Sequence, residues 1–458
     1  MMPAGASCAH TLEQLRSGQL SGSRRLKLAS ALTEFPREIF ALAETLEILD
    51  LSGNALSSLP DDLPRLRQLR VLFCSDNQFS ELPAILGQCT QLSMIGFKAN
   101  QIRHVPAAAL PPALRWLILT ANQISELPPE LGHCTQLQKL MLAGNQLRAL
   151  PPELANCQRL ELLRIAANQL TALPDWLLSL PRLSWLAYAG NPFCESDTSR
   201  PITRIAWHEL QLQQPLGEGA SGVIHQARLA EQQVAVKLFK GALTSDGLPQ
   251  HEMHACISAG AHANLIPVLG QIEDHPEHVD GLVMALIEHG FSSLAGPPSL
   301  DSCTRDVYPA QARFAFTAAL GIAHGIAAAA GHLHAQGIIH GDLYAHNILH
   351  TANGDALLGD FGAASFFNHH DRPQAEALQR IEVRAFGCLL EELIERSILV
   401  PQDASRQAAV DGENSRKILI ELQAECVQEN PGARPLFGEI IERLNALVLQ
   451  HSVNLQIA

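Results

Sequence analysis

No two of the ten cysteines in this 458-residue chain stand in a CxxC pair. That spacing is wanted by zinc ribbons and dithiol redox sites, so its absence points away from both and toward a reducing compartment. Basic charge is also short, with 32 Lys and Arg against 46 Asp and Glu. The deficit lies wholly beyond residue 200, because residues 1–200 hold 17 of each sign. Nucleic acid and anionic membranes need basic faces, so neither is expected as the main partner. The N-terminus lacks a basic stretch leading into an apolar run, so no signal peptide is expected. The most apolar window, residues 318–333, carries His324 and His332 and reads as a buried helix rather than a membrane span. A cytoplasmic protein of two or three domains is expected, with 47% hydrophobic residues to fill their cores.

What the chain has in quantity is repetition. Leu46, Leu69, Leu92, Leu114, Leu137, Leu160 and Leu183 recur every 22 or 23 residues, each opening LxxLxLxxN or a close variant. Asn54, Asn77, Asn100, Asn122, Asn145, Asn168 and Asn191 follow in step. This period and pattern identify a leucine-rich repeat array, an α/β repeat solenoid in which stacking buries leucines that one repeat cannot bury alone. Leu26-Lys27-Leu28 reads as a degenerate further turn, so residues 1–45 are assigned to an N-terminal cap and 46–194 to the repeats. Cys89, Cys134 and Cys157 share one repeat position and read as small buried fillers.

Within LxxLxL the leucines point inward, which leaves the third and fifth positions on the concave face. Val71, Phe73, Trp116, Ile118, Met141 and Trp185 make that face unusually apolar. Two readings stand: an ordinary strand surface shielded by its neighbours, or a protein-docking ridge anchored by Trp116 and Trp185.

A polar stretch, residues 195–206, is expected to link the repeats to a second domain over 207–450, followed by a short tail, 451–458. The second domain opens with Leu216-Gly217-Glu218-Gly219-Ala220-Ser221-Gly222-Val223, a GxGxxGxV run, and continues with Val234-Ala235-Val236-Lys237. Further on come His340-Gly341-Asp342 and Asn347, then Asp360-Phe361-Gly362 thirteen residues after the Asn. An Asp able to take a hydroxyl proton, with an Asn and a second Asp as oxygen ligands suited to Mg²⁺, reads as a phosphoryl-transfer centre.

These motifs, in this order, resemble the eukaryotic-type protein kinase domain, an α+β bilobal fold, and the whole chain resembles an intracellular leucine-rich repeat protein kinase. The resemblance implies ATP and Mg²⁺ as cofactors. Leu216, Gly217, Gly219, Gly222, Val223, Ala235, Met284, Ala285 and Ile287 would bind ATP, and Lys237 would hold its phosphates, aligned by Glu252. Asp342 would be the base, with Asn347 and Asp360 the metal ligands. His340 is expected to be a packed scaffold residue, Glu382 to bond the catalytic loop, and Arg434 to pair with Glu376.

Three departures bear on function. Gly341 stands where the kinase pattern has an Arg, so a phosphorylated activation loop would lack a cation to dock on, and Tyr344 stands where Ser/Thr kinases carry a Lys, so the γ-phosphate loses one expected charge. The stretch from Asp360 to Glu376 is short and contains one hydroxyl, Ser365. The expectation is an ATP-dependent Ser/Thr protein kinase given its target by the repeats. The alternative is a nucleotide-binding scaffold acting mainly through protein binding.

Overall fold

The structure is a computed structural model describing residues 10–194, 202–219, 221–241, 243–287, 290–399 and 406–457. Residues 195–201 of the expected linker, Ala220 of the glycine motif, and the first nine residues of the expected cap lie outside the described residues. The chain forms two compact units, Met1–Leu177 with Asn191–Phe193, and Leu178–Gly190 with Cys194–Ala458.

The first unit opens with α1 (Leu12–Arg16), whose Thr11 and Gln14 make a reciprocal capping box. Seven three-residue strands follow: β1 (Arg25–Lys27), β2 (Ile48–Asp50), β3 (Val71–Phe73), β4 (Met94–Gly96), β5 (Trp116–Ile118), β6 (Lys139–Met141) and β7 (Leu162–Arg164). Each pairs in parallel with the next, in register. The central residues Leu49, Leu72, Ile95, Leu117, Leu140 and Leu163 are fully buried, as the alternation along each strand requires. The degenerate turn at Leu26 is thus a true repeat strand.

The asparagines hold the stack. Asn145 Oδ1 accepts from Ile124 N at 3.0 Å, while its Nδ2 donates to the carbonyls of Leu119 and Leu142 at 2.9 Å each. The same pattern links Asn77, Asn122 and Asn168 to the preceding repeat. Asn145→Ala strands the buried Ile124 N–H, while the Leu119 and Leu142 carbonyls keep Asn122 and Asn168 as donors, so it is expected to lower stability by about 2 kcal/mol in urea unfolding; a loss near zero would contradict this role. Cys89, Cys134 and Cys157 are buried, and burial pushes their thiols up to about 11, 11 and 12.

The apolar ridge differs from the docking expectation. Val71, Met141 and Trp185 are buried, and only Phe73, Trp116 and Ile118 stay half-buried. The Phe73 ring closes over Gly96, where a Cβ would stand 2.5 Å from it, and Lys139 Nζ sits 4.3 Å from the Trp116 ring. Trp185 falls in the second unit, in contacts described below.

After α2 (Asp175–Leu178) comes β8 (Trp185–Ala187), part of the second unit. A six-stranded sheet follows, in the order β10 (Leu210–Glu218), β11 (Gly222–Leu229), β12 (Gln232–Phe239), β14 (Gly281–Ala285), β13 (Val268–Glu273) and β9 (Arg204–Ala206). Residues assigned to the linker therefore end in a strand, because Ile205 inserts into the core of Ala227, Val234, Val236, Ile272 and Val283. Helix α3 (Pro249–Ala259) packs Met253 on that sheet beside Phe239 and Leu282. Four helices build the rest: α4 (Phe316–Ala335), α5 (Arg372–Arg396), α6 (Arg406–Cys426) and α7 (Phe437–Ile457). Helix α4 is long and apolar enough to cross a membrane by length and composition, but 67% of its apolar window is buried. It is the central helix of this half, packed against α5 and α7.

Candidate active site

The site lies where β11, β12 and α3 meet the turns around Asp342 and Asp360. Strand β12 puts Lys237 on its inner face, since Val234 and Val236 alternate into the hydrophobic core. Its Nζ bonds Glu252 Oε1 from the first turn of α3, and both side chains are largely buried. Burial alone would pull the Lys237 ammonium down, but the carboxylates of Glu252 and Asp360 outweigh it and hold it above its usual value. Burial pushes the Glu252 carboxyl up, against the opposing charge of Lys237.

Around Asp342 the loop is fastened on several sides. Asn347 Nδ2 donates to both the Asp342 carbonyl and its Oδ2 at 2.9 Å, which leaves the Asn347 amide oxygen for a cation. His340, fully buried, meets the carbonyl of Gly359 through Nε2 at 2.9 Å. A carbonyl can only accept, so the proton is on Nε2, and Nδ1 accepts from Asp342 N at 3.3 Å. One neutral imidazole thereby ties the Asp342 loop to the strand end before Asp360. Glu382 of α5 accepts from Gly341 N at 2.8 Å and from His334 at 2.7 Å. Both His340 and Glu382 occupy the scaffold roles expected of them.

Asp360 takes φ +56°, a left-handed conformation that aspartate tolerates, and its Oδ1 accepts from Gly362 N at 3.2 Å. Phe361 is buried, its ring 5.2 Å from His340. His346 bonds Asp306 at 2.8 Å through its ring. Burial works against the charged imidazole, but the Asp306 hydrogen bond and charge hold it above its usual value. Asp306 was not anticipated, being forty residues upstream with no motif around it.

A cavity of about 200 Å³ opens beside Lys237, Glu252 and Asp360, and Asp342 and Asn347 do not line it. Gly219, Gly222, Lys237, Glu252, Met284 and Asp360 line it, together with Ser221, Asp246 and Cys256, which sequence reasoning did not single out. Leu216, Gly217, Val223, Ala235, Ala285 and Ile287 do not line that cavity; Leu216 and Gly217 lie on β10, Val223 on β11, and Ala235 and Ala285 on the paired strands β12 and β14. Gly222 is glycine for packing, since a Cβ would stand 2.4 Å from Leu238 O. Gly217 and Gly219 have nothing within 4 Å of such a Cβ, so no packing demand explains them. A backbone kept bare toward open space suits the close approach of a phosphate chain.

Arg434 does not pair with Glu376. Its guanidinium donates to the carbonyls of Gln428, Arg380 and Pro181, while Glu376 takes Arg372 and Arg380, four residues to either side on α5. The i±4 spacing of one helix satisfies that carboxylate before any distant cation can.

A family model described as protein tyrosine and serine/threonine kinase matches residues 210–397, and leucine-rich repeat models match 45–66 and 135–193. The chain carries leucine-rich repeats followed by a protein kinase domain. Fibroblast growth factor receptor 1 of Pleurodeles waltl is 24% identical over 299 residues, covering 55% of this chain and 36% of the relative. The chain thus spans about a third of that relative's length. A leucine-rich repeat protein of Leptospira interrogans of known structure is 29% identical, with 40% of this chain and 47% of that one covered and a TM-score of 0.37. Among the described residues no group of three or more His, Cys, Asp or Glu is placed to hold a metal.

Proposed function

We propose that this protein is a cytoplasmic, ATP- and Mg²⁺-dependent protein kinase acting on Ser or Thr, with its repeats holding a protein partner. The carrying observation is the Lys237–Glu252 pair beside Asp360, joined through Gly359 and His340 to the Asp342–Asn347 pair. In this reading Lys237 holds the ATP phosphates, and bare backbone at Gly217 and Gly219 closes over them. Mg²⁺, held by Asn347 and Asp360, would supply charge neutralisation of the phosphates. Asp342 accepts the acceptor hydroxyl's proton as its oxygen bonds the γ-phosphorus and ADP departs. Half-buried Phe73, Trp116 and Ile118 remain as the docking surface of the repeats.

One observation favours the scaffold reading instead. Gly341 brings no cation, and Tyr344 is stacked on Trp185 rather than offering a charge to the γ-phosphate. Incubation of the full chain with γ-labelled ATP, Mg²⁺ and a degenerate Ser/Thr/Tyr peptide library separates the two. Label on Ser or Thr is expected; label on Tyr alone overturns the specificity, and nucleotide binding without transfer favours the scaffold.

A further inference from the structure

Resting on the phosphotransfer reading, we propose that Trp185, a residue of the seventh repeat, is a positioning residue for the catalytic base, and that β8 fastens the Asp342 loop. Trp185 is 1% exposed. Its indole N–H donates to the Leu343 carbonyl at 3.1 Å, and its ring stacks on Tyr344 at 4.2 Å with 7° between the planes. The carbonyl of the next residue, Leu186, lies 2.6 Å from where a Cβ at residue 341 would stand, and Gly341 has φ +72°. Trp185 thus contacts residues 343 and 344, the Leu186 carbonyl closes the space beside residue 341, and Asp342 lies between them.

The neighbouring residues extend the same clamp. The backbone N–H groups of Tyr188 and Ala189 both donate to Ser365 Oγ at 3.1 Å, and Tyr188 Oη donates to the Phe366 carbonyl at 3.1 Å. Arg384 of α5 donates to Ser184 Oγ at 2.6 Å, and Arg434 to the Pro181 carbonyl at 2.7 Å. Ser365 is fully buried and committed to two backbone donors. The one hydroxyl between Asp360 and Glu376 is thus a structural acceptor for the repeat segment. Residues 185–189 thus fasten the chain at Leu343 and Tyr344 upstream of Asp360 and at Ser365 and Phe366 downstream of it. Misplacing a catalytic group by about 1 Å costs on the order of a hundredfold in rate, so such a clamp acts on turnover.

The test uses the full chain as wild type, Trp185→Phe and Trp185→Ala. Phe keeps a stacking ring and loses the donor; Ala loses both. With γ-labelled ATP and the degenerate peptide library, Trp185→Ala is expected to lower kcat on the order of tenfold to a hundredfold, with Trp185→Phe between it and wild type. Affinity for Mg·ATP, read by titration, is expected to change less than about twofold, because Lys237 and the glycines lie on other strands. Amide exchange at Leu343 to Asn347 is expected to quicken in the same order, with β2 to β6 unchanged. Unchanged kcat together with unchanged exchange overturns the proposal, and so does an equal loss of kcat and Mg·ATP affinity. Should Trp185→Ala not fold, Trp185→Phe decides by the same readings. A wild type that transfers no label defeats the phosphotransfer reading alone, and the exchange rates still decide whether Trp185 holds the loop.

Discussion

Lys237→Ala is expected to cost this protein both nucleotide and fold. With the ammonium gone, Glu252 is left as a carboxylate with a side chain only 3% exposed, and Asp360 loses the charge that faces it. Breaking a buried pair by removing one partner costs roughly 3–5 kcal/mol, most of it from the charge left behind. Affinity for Mg·ATP is expected to fall at least about tenfold, since one buried charge-assisted contact to phosphate is worth roughly 1.5–3 kcal/mol. Lys237→Met with Glu252→Gln separates the two effects. The double variant removes both charges, so it is expected to regain most of the stability while affinity for Mg·ATP stays low. If the double variant also recovers nucleotide affinity, Lys237 does not hold the phosphates.

Gly341→Arg, which introduces the cation that the kinase resemblance leads one to expect here, is expected to unfold the kinase domain rather than improve it. A left-handed residue with a Cβ costs about 1–2 kcal/mol. That Cβ would also stand 2.5 Å from Ala363 O and 2.6 Å from Leu186 O, both backbone atoms that cannot swing aside. Overpacking of this kind adds about 1–3 kcal/mol, before the cost of seating a guanidinium there. Gly341→Ala isolates the steric part and is expected to lose about 3 kcal/mol in urea unfolding. A Gly341→Ala protein as stable as wild type would show that β8 does not press on the loop.

The substitution of Arg by Gly was visible in the amino-acid sequence as a departure, but its cause was not. Seen alone it reads as a lost docking cation; in the structure the position is closed by the carbonyl of Leu186, 155 residues earlier in the chain. Local and periodic features were legible for a physical reason. The repeat strands and the asparagine stack each follow from spacing that a short element imposes on its own side chains, whereas the Lys237–Glu252 pair, between β12 and α3, was implied by the kinase resemblance. Contacts made across the second unit were not. Trp185 fits the concave pattern of every other repeat, and nothing in residues 183–187 marks it as the partner of Tyr344. Glu376 failed for the opposite reason, because its partners Arg372 and Arg380 were in view at helical spacing and a more distant one was preferred.

In the proposed reaction Asp342 moves a proton in phosphoryl transfer and leaves nucleotide binding to other groups. Single-turnover transfer from γ-labelled ATP to the peptide library, measured beside Mg·ATP titration for wild type and Asp342→Ala, tests it most directly. The account predicts similar affinity in both proteins and a transfer rate lower by roughly 10²–10⁴ in the variant. Equal transfer by wild type and Asp342→Ala, with both binding Mg·ATP, would contradict it.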